Sequence, residues 1–322
     1  MNKTVSFIAS VQDELREVED LMRRQAEGYH PDIRAAMDLL ISAGGKRVRP
    51  ALTILAGKML GAPPDALLSI ATAIEMLHTA TLVHDDLIDG SLLRRGMPTL
   101  NAKWSPGATV LTGDFIFARA AKLAAETNSV PVMKLFSKTL TVIVEGEIAQ
   151  LLGSRCTADR ESYYKRIYAK TASLFETSAW AAAMVSNADE QTAEAARRYG
   201  YEIGMAFQII DDILDFVGDQ NTIGKPVGGD LRQGIVTLPA LHYVETHPND
   251  SYAQLLRDGE CMNNDQIDCL LTAIRDSDAI QRSHAEAEQY VARGLENLRS
   301  LPACAERYAL EELAEYIVDR KF

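Results

Sequence analysis

Six aspartates fall into two copies of one pattern. Residues 85–89 read DDLID and residues 211–215 read DDILD. Asp85, Asp86 and Asp89 therefore match Asp211, Asp212 and Asp215, and each D-D-x-x-D closes an apolar run. On a helix, positions i and i+4 share a face, which puts Asp85 with Asp89 and Asp211 with Asp215. Like charges one turn apart repel, so each cluster is destabilising until something compensates it. Hard divalent cations, Mg2+ above all, take carboxylate oxygen and often share their coordination with substrate phosphates. A single copy reads equally well as a solvated helix end; two copies flanked by apolar residues favour the metal.

Positive charge is placed to meet phosphate. Lys46 and Arg49 follow a glycine pair in GGKRVRP (44–50), and Arg94 and Arg95 lie just beyond the first acidic cluster. Lys170 and Thr171 sit in a helical segment, and Lys225 lies in GKP. Arginine grips phosphate through its planar fork and lysine as a point charge. Each of these alone reads as a surface charge; the set is what informs.

The elements that must carry these residues read as helices. Apolar residues recur at three- and four-residue spacing over 66–88, 107–126, 132–152, 160–186, 190–217 and 283–299, and convincing alternating strands are absent. Gly61-Ala62-Pro63-Pro64, Gly96-Met97-Pro98, Ser105-Pro106-Gly107, Gly224-Lys225-Pro226 and His247-Pro248 break the runs. The expectation is an all-α chain, one domain over 1–322 of ten or more helices, with only a weak signal for a boundary near 245–265.

Composition limits the function. The chain has 322 residues, 47% hydrophobic and 24% charged, enough to bury a large core. A net charge of −12 argues against a general nucleic-acid binder, which needs a basic surface. Cys156, Cys261, Cys269 and Cys304 form no CxxC pair and have no histidine cluster beside them, which argues against zinc and suits a reducing cytoplasm. The N-terminus lacks the pattern of a signal peptide, and no stretch of about 18 apolar residues is free of charge, so no membrane span is expected.

Together the motifs resemble one family, the trans-prenyltransferases or polyprenyl diphosphate synthases. The matching pieces are GGKRVRP (44–50), HTATLVHDDLID (78–89), RRGMPT (94–99), GDFIFARA (113–120), EGEIAQL (145–151), KTASLF (170–175), FQIIDDILD (207–215), GKPVGGDLRQG (224–234) and TLPAL (237–241). They stand in family order over roughly 40–245, and the ending YIVDRKF is similar to long-chain bacterial members, heptaprenyl and octaprenyl synthases among them.

The resemblance implies an all-α bundle around a deep central cavity, and a reaction. An allylic diphosphate ionises, the alkene of isopentenyl diphosphate attacks the carbocation, and a proton leaves. By resemblance the six aspartates hold two or three Mg2+. Lys46, Arg49, His78 and Arg95 hold isopentenyl diphosphate, and Arg94, Lys170, Thr171, Gln208 and Lys225 hold the allylic diphosphate, with Lys170 counted among the catalytic groups. His84 has at most a supporting role. No protein base is evident, and in the family picture the departing diphosphate takes the proton. One departure is Ile235, where many relatives carry lysine; one diphosphate contact is then missing or supplied elsewhere.

Product length depends on what lies behind Asp85. Ala80 is five residues back, about 7.5 Å at 1.5 Å per residue, and short-product relatives typically place a bulky aromatic near this site. Ala80 and Thr81 are small, which favours a cavity that continues and a long product, hexaprenyl to decaprenyl, of the quinone side-chain kind; the resemblance of RQGIVTLP and YIVDRKF to Gram-positive-type enzymes implies heptaprenyl as the best single reading. Leu77, Leu111 and Phe117 are candidates for a deeper floor.

Alternatives stay open. A geranylgeranyl diphosphate synthase needs another helix to close the cavity. A terpene cyclase shares the fold and the first DDxxD, but the second DDxxD and the basic set argue against it. A non-catalytic partner subunit sits poorly with intact acidic motifs. A homodimer is the default, a heterodimer the alternative, with transient contact at a membrane surface and a cytoplasmic location.

Overall fold

The computed structural model describes residues 6–217 and 227–320. The chain divides into two compact units. The first comprises residues 1–138, 177–197 and 298–312; the second comprises 139–176, 198–297 and 313–322. The stretch 245–265, weakly expected as a boundary, lies inside the second unit.

In chain order the helices are α1 (Ser6–Ala9), α2 (Gln12–Arg24), α3 (Pro31–Ser42), α4 (Val48–Met59), α5 (Pro64–Ile88), α6 (Leu100–Lys103), α7 (Pro106–Glu126), α8 (Val130–Leu152), α9 (Arg160–Ile167), α10 (Ser173–Val185) and α11 (Glu190–Val217). They continue with α12 (Gly229–Arg232), α13 (Leu238–Thr246), α14 (Ser251–Asp258), α15 (Asn264–Asp276), α16 (Ala279–Arg299) and α17 (Ala305–Val318). A π-helical turn, Tyr168–Ala172, interrupts the helix expected over 160–186. Between α5 and α6 the chain makes a small antiparallel ribbon, β1 (Leu93–Arg94) and β2 (Met97–Pro98), the only strands among the described residues.

The starts of the site-bearing helices are written in the sequence. Pro64 and Pro106 stand in the first turns of α5 and α7, where a missing N–H costs nothing. Ser105 caps α7 by accepting from the Ala108 amide. Helix α5 is the core of the first unit and packs on α7, α4 and α2. Ile70, Ile74, Met76, Leu77, Ala80 and Val83 along it are all buried. Each large apolar side chain so enclosed contributes about 1.5–3 kcal/mol. This helix is long and apolar enough to cross a membrane, but 67% of its most apolar window is buried against the rest of the protein.

Close approach is set by glycine. A Cβ on Gly113 of α7 would overlap the His84 ring of α5. A Cβ on Gly204 of α11 would lie 2.6 Å from Ala172 Cα and 2.8 Å from Phe175 Cβ, so only glycine lets α11 lie against the π turn.

Candidate active site

The first unit carries the first acidic cluster. Asp85 and Asp86 lie in the last turn of α5, and Asp89 is its C-cap. A helix C-terminus carries partial negative charge, so carboxylates there are doubly unfavourable, and the last turn contains no basic residue to offset them. The three aspartates differ in setting. Asp86 is 7% exposed and is gripped by Arg94, whose Nε lies 3.0 Å from both carboxylate oxygens and whose Nη2 lies 2.9 Å from Oδ1. Asp85 is half-buried and Asp89 exposed.

The β1–β2 ribbon explains the grip. Arg95 and Gly96 form its two-residue turn with φ of 52° and 75°, the positive pair that a tight hairpin demands. The turn sends Arg94 back onto Asp86, while Arg95 donates to the Gly44 carbonyl in the glycine pair before Lys46. A side chain on Gly45 would meet Arg95 Nη1 at 2.8 Å, so the second glycine makes room for this arginine.

The basic segment 44–50 divides its labour. Arg47, left out of the sequence reading, is the structural arginine. It has φ 47° and turns inward to Glu75 at 2.6 Å, Glu19 at 2.9 Å and the Ile41 carbonyl at 3.0 Å. Burial disfavours its charge, and Glu75 and Glu19 more than offset that. Lys46 is exposed and Arg49 half-buried. Arg49 Nη1 lies 3.1 Å from His78 Nε2. A guanidinium can only donate, so Nε2 accepts and the His78 proton sits on Nδ1. Burial, then Arg49, Arg95, Arg94 and Arg47, push the His78 imidazole well below its ordinary value of 6.5. Arg49, His78, Arg94 and Arg95 thus form one electropositive group beside Asp86.

His84 is anchored on α7: Nε2 donates to the Val110 carbonyl at 3.2 Å, with Asp114 at 3.5 Å and the Phe117 ring centroid 5.3 Å from its own. Among the chain-length candidates, Ala80 and Leu77 are fully buried and Thr81 is half-buried, its hydroxyl donating to the His78 carbonyl. Leu111, expected as a floor, is 70% exposed on α7 and encloses nothing within its unit.

The second unit carries the second cluster in the last turns of α11, again with no basic residue in the final turn. Here too the second aspartate is drawn inward. Asp212 is 4% exposed, and accepts from the Tyr163 hydroxyl and from Gln208 Nε2, each at 2.8 Å. Gln208 in turn accepts from Thr171 at 2.6 Å, across the close approach that Gly204 permits. Lys170, on the same π turn, is exposed and 3.1 Å from Glu147. Asp211 is exposed and meets Arg320 of the C-terminal segment at 3.3 Å; the guanidinium of Arg320 also lies over the Phe207 ring. Asp215 accepts from the amides of Gly229 and Asp230, both at 3.1 Å, and so caps α12.

Asp230 is the site residue that sequence reasoning missed. Burial, Asp215 and Asp211 push its carboxyl up to about 7, against the opposing pull of Arg166 and Lys170. Burial and Asp230 likewise raise Asp212 well above the ordinary carboxylate range. Asp211, Asp212, Asp215 and Asp230 are all oxygen donors, the chemistry that a hard divalent cation prefers, but among the described residues no three such side chains stand close enough together to hold one ion as they are. The signal that could have found Asp230 is its place in GGDLRQG, after a glycine pair that opens a short helix. Lys225 lies outside the described residues. Ile235 is half-buried, and its amide donates to the Asp230 carbonyl at 2.8 Å.

Comparison with known proteins agrees with this chemistry. The profile of the family described as Polyprenyl synthetase matches residues 30–273. Heptaprenyl diphosphate synthase component 2 of Bacillus subtilis is 35% identical over 96% of this chain and 89% of its own length. Octaprenyl diphosphate synthase of Escherichia coli is 37% identical over 87% of this chain and 88% of its own. A crystal structure of a polyprenyl synthase from Caulobacter crescentus, complexed with calcium and isoprenyl diphosphate, superposes with a TM-score of 0.90 at 35% identity, covering 99% of both chains. The all-α architecture is therefore the isoprenoid synthase fold, and the chain belongs to the polyprenyl synthetase family of trans-prenyltransferases.

Proposed function

We propose that this enzyme extends an allylic diphosphate, farnesyl diphosphate the best candidate, with successive isopentenyl diphosphates to a long all-trans polyprenyl diphosphate for a quinone side chain. The observation that carries the reading is the pairing, within each unit, of an acidic cluster at a helix C-terminus with its own phosphate-binding donors. In the first unit the donors are Arg49, His78, Arg94, Arg95 and Lys46. In the second they are Lys170, Thr171 and Gln208; Lys225, which the family resemblance adds to this set, lies outside the described residues.

The aspartates of the two clusters would hold divalent cations, Mg2+ in this reading, which would supply the Lewis-acid neutralisation that a departing diphosphate needs. The chain's own residues do the rest. Arg94 and Tyr163 fix the orientation of Asp86 and Asp212 beside the neighbouring aspartates. Neutral His78 offers an Nδ1 proton without adding charge. Arg49 and Arg95 orient the second diphosphate, which places its alkene for attack and gains rate by proximity. The heptaprenyl and octaprenyl relatives support a long product, as does the small residue at Ala80.

A homodimer in the cytoplasm fits best. Val144, Ile148, Leu151 and Leu152 form an exposed apolar stripe at helical spacing on α8, 44% to 84% exposed, of the kind that a second copy covers. The relative named as component 2 of a synthase favours a second reading, a catalytic chain that needs a different subunit. The greasy product would bring either assembly transiently to a membrane surface. The net charge of −12 speaks against nucleic acid as a partner.

The test is the purified chain alone with Mg2+, farnesyl diphosphate and labelled isopentenyl diphosphate, with products sized by mass spectrometry and the assembly by light scattering. One long product from a homodimer is expected. A product no longer than geranylgeranyl diphosphate would overturn the long-chain reading. No product alone, with activity restored by a second protein, would favour the heterodimer.

A further inference from the structure

Cys156 and Cys261, 105 residues apart, are joined as a disulfide with a Cα–Cα separation of 5.2 Å. Their sequence spacing gives no hint of this. We propose that this bond is a reversible redox clamp that sets how firmly Asp230 is held to Asp215. The inference rests on the reading above that these aspartates hold divalent cations.

The clamp reaches the aspartates through an unbroken run of short contacts. The Cys156 amide donates to the Gly234 carbonyl at 2.7 Å. Gly234 closes the turn after α12: its amide donates to the Leu231 carbonyl at 3.0 Å, and the next amide, of Ile235, donates to the Asp230 carbonyl. At the other end of α12 the amides of Gly229 and Asp230 are capped by Asp215. Gly234 has φ 77°, and a Cβ there would meet Cys156 Sγ at 3.0 Å, so the sulfur bridge is pressed directly on this turn. Fixing the Cys156 loop fixes the segment 228–235 and, with it, the spacing of two carboxylates.

Two further observations mark the bond as one that switches. Cys156 holds φ 62°, a left-handed conformation that is uncommon and costly for a non-glycine residue. Releasing the tether lets this residue relax and the loop move. The two sulfurs also differ in access: Cys156 is 5% exposed, whereas Cys261 is exposed. A dithiol reductant therefore attacks Cys261 Sγ, the S–S bond breaks, and the electron pair leaves on Cys156 Sγ, which takes a proton. The second thiolate of the reductant then displaces Cys261 as a thiol and closes the reductant's own disulfide. A small disulfide such as oxidised glutathione reverses both exchanges, yielding two thiols. Disulfides in reducing compartments are characteristically transient and redox-sensing.

The experiment uses the full-length chain in a Cys269→Ser background, which removes an exposed thiol. The protein is oxidised with glutathione disulfide or reduced with dithiothreitol, and its state is read by intact mass. Amide hydrogen exchange then follows peptides covering 227–236. Reduction is expected to speed exchange there by about fivefold or more and to weaken binding of Mn2+ with inorganic diphosphate by a similar factor. Cys261→Ser should behave as the reduced protein under both conditions. Failure of the disulfide to form, equal exchange in the two states, or equal Mn2+ affinity in a protein that binds it would overturn the proposal. If exchange responds but neither state binds Mn2+, the clamp stands and the metal reading fails.

Discussion

The hydroxyl of Tyr163 donates to Asp212 at 2.8 Å, and Tyr163 is itself wholly buried. The bond orients an aspartate that cannot turn outward, much as Arg94 orients Asp86 in the other cluster. Burial and Asp212 together push the Tyr163 phenol well up, so it remains a donor at every working pH. Tyr163→Phe should leave the fold intact and cost about 10- to 100-fold in Mg2+ affinity or turnover, the usual consequence of removing a group that orients a metal ligand. Titrating activity against Mg2+ checks this. An unchanged Mg2+ dependence would remove Tyr163 from the site.

Asp89 gives a prediction in which stability and activity move in opposite directions. It caps the C-terminus of α5, where the helix dipole disfavours a carboxylate and favours a neutral or cationic side chain. Asp89→Asn should therefore stabilise the metal-free protein by about 0.3–1 kcal/mol. In the same variant the rate should fall, and Asp85→Ala or Asp211→Ala should lower it by orders of magnitude with the fold retained. Thermal unfolding without metal and turnover with Mg2+ are the two measurements. A variant that is less stable and fully active would sink the assignment.

The helices and both acidic motifs were legible because periodicity and spacing are local properties. Residues 190–217 form one helix with the expected bounds, and α5 and α7 begin at their prolines. Other features depend on partners far along the chain. Arg47 looks no different from Arg49 until Glu19 and Glu75 are seen around it. Asp230 becomes part of the site only through the hydrogen bond that its backbone N–H donates to the Asp215 carboxylate and through its electrostatic coupling to Asp211. Arg320 belongs to a C-terminal motif noticed for its likeness alone, yet it reaches Asp211. The β1–β2 ribbon escaped because strands of two residues carry no alternation to read.

His78 predicts a pH dependence of stability. Its imidazole is pushed well below 6.5 in the folded protein by burial and by Arg49, Arg95, Arg94 and Arg47. Below that pH the unfolded chain takes up a proton that the folded chain refuses. Stability therefore falls as pH drops from about 6.5, by up to about 1.4 kcal/mol per pH unit for this group. Above about 6.5 both states are neutral and the effect vanishes. His78→Gln should flatten this part of the acid limb. Denaturant unfolding of both proteins at neutral pH and at about pH 5.5 decides it; parallel losses would show that His78 charges in the folded state.

Ala80 tests product length. It is fully buried in α5, five residues before Asp85, and its neighbour Thr81 lies one turn from Asp85 on the same helix face. A phenyl ring at position 80 has two possible destinations. If the space behind Asp85 continues past this position, the ring projects into it, and the tail meets a floor about 7.5 Å from the aspartate. If the position is simply packed, the ring must displace its neighbours at a cost of about 1–3 kcal/mol. The expected result for Ala80→Phe is a product shortened to three to five isoprene units at near-native stability, read by mass spectrometry of the reaction with farnesyl diphosphate or geranyl diphosphate. A lower melting temperature with unchanged product length would mean that Ala80 is a packing residue, and the determinant of length would then have to be sought elsewhere, with Leu77 and Phe117 next in line.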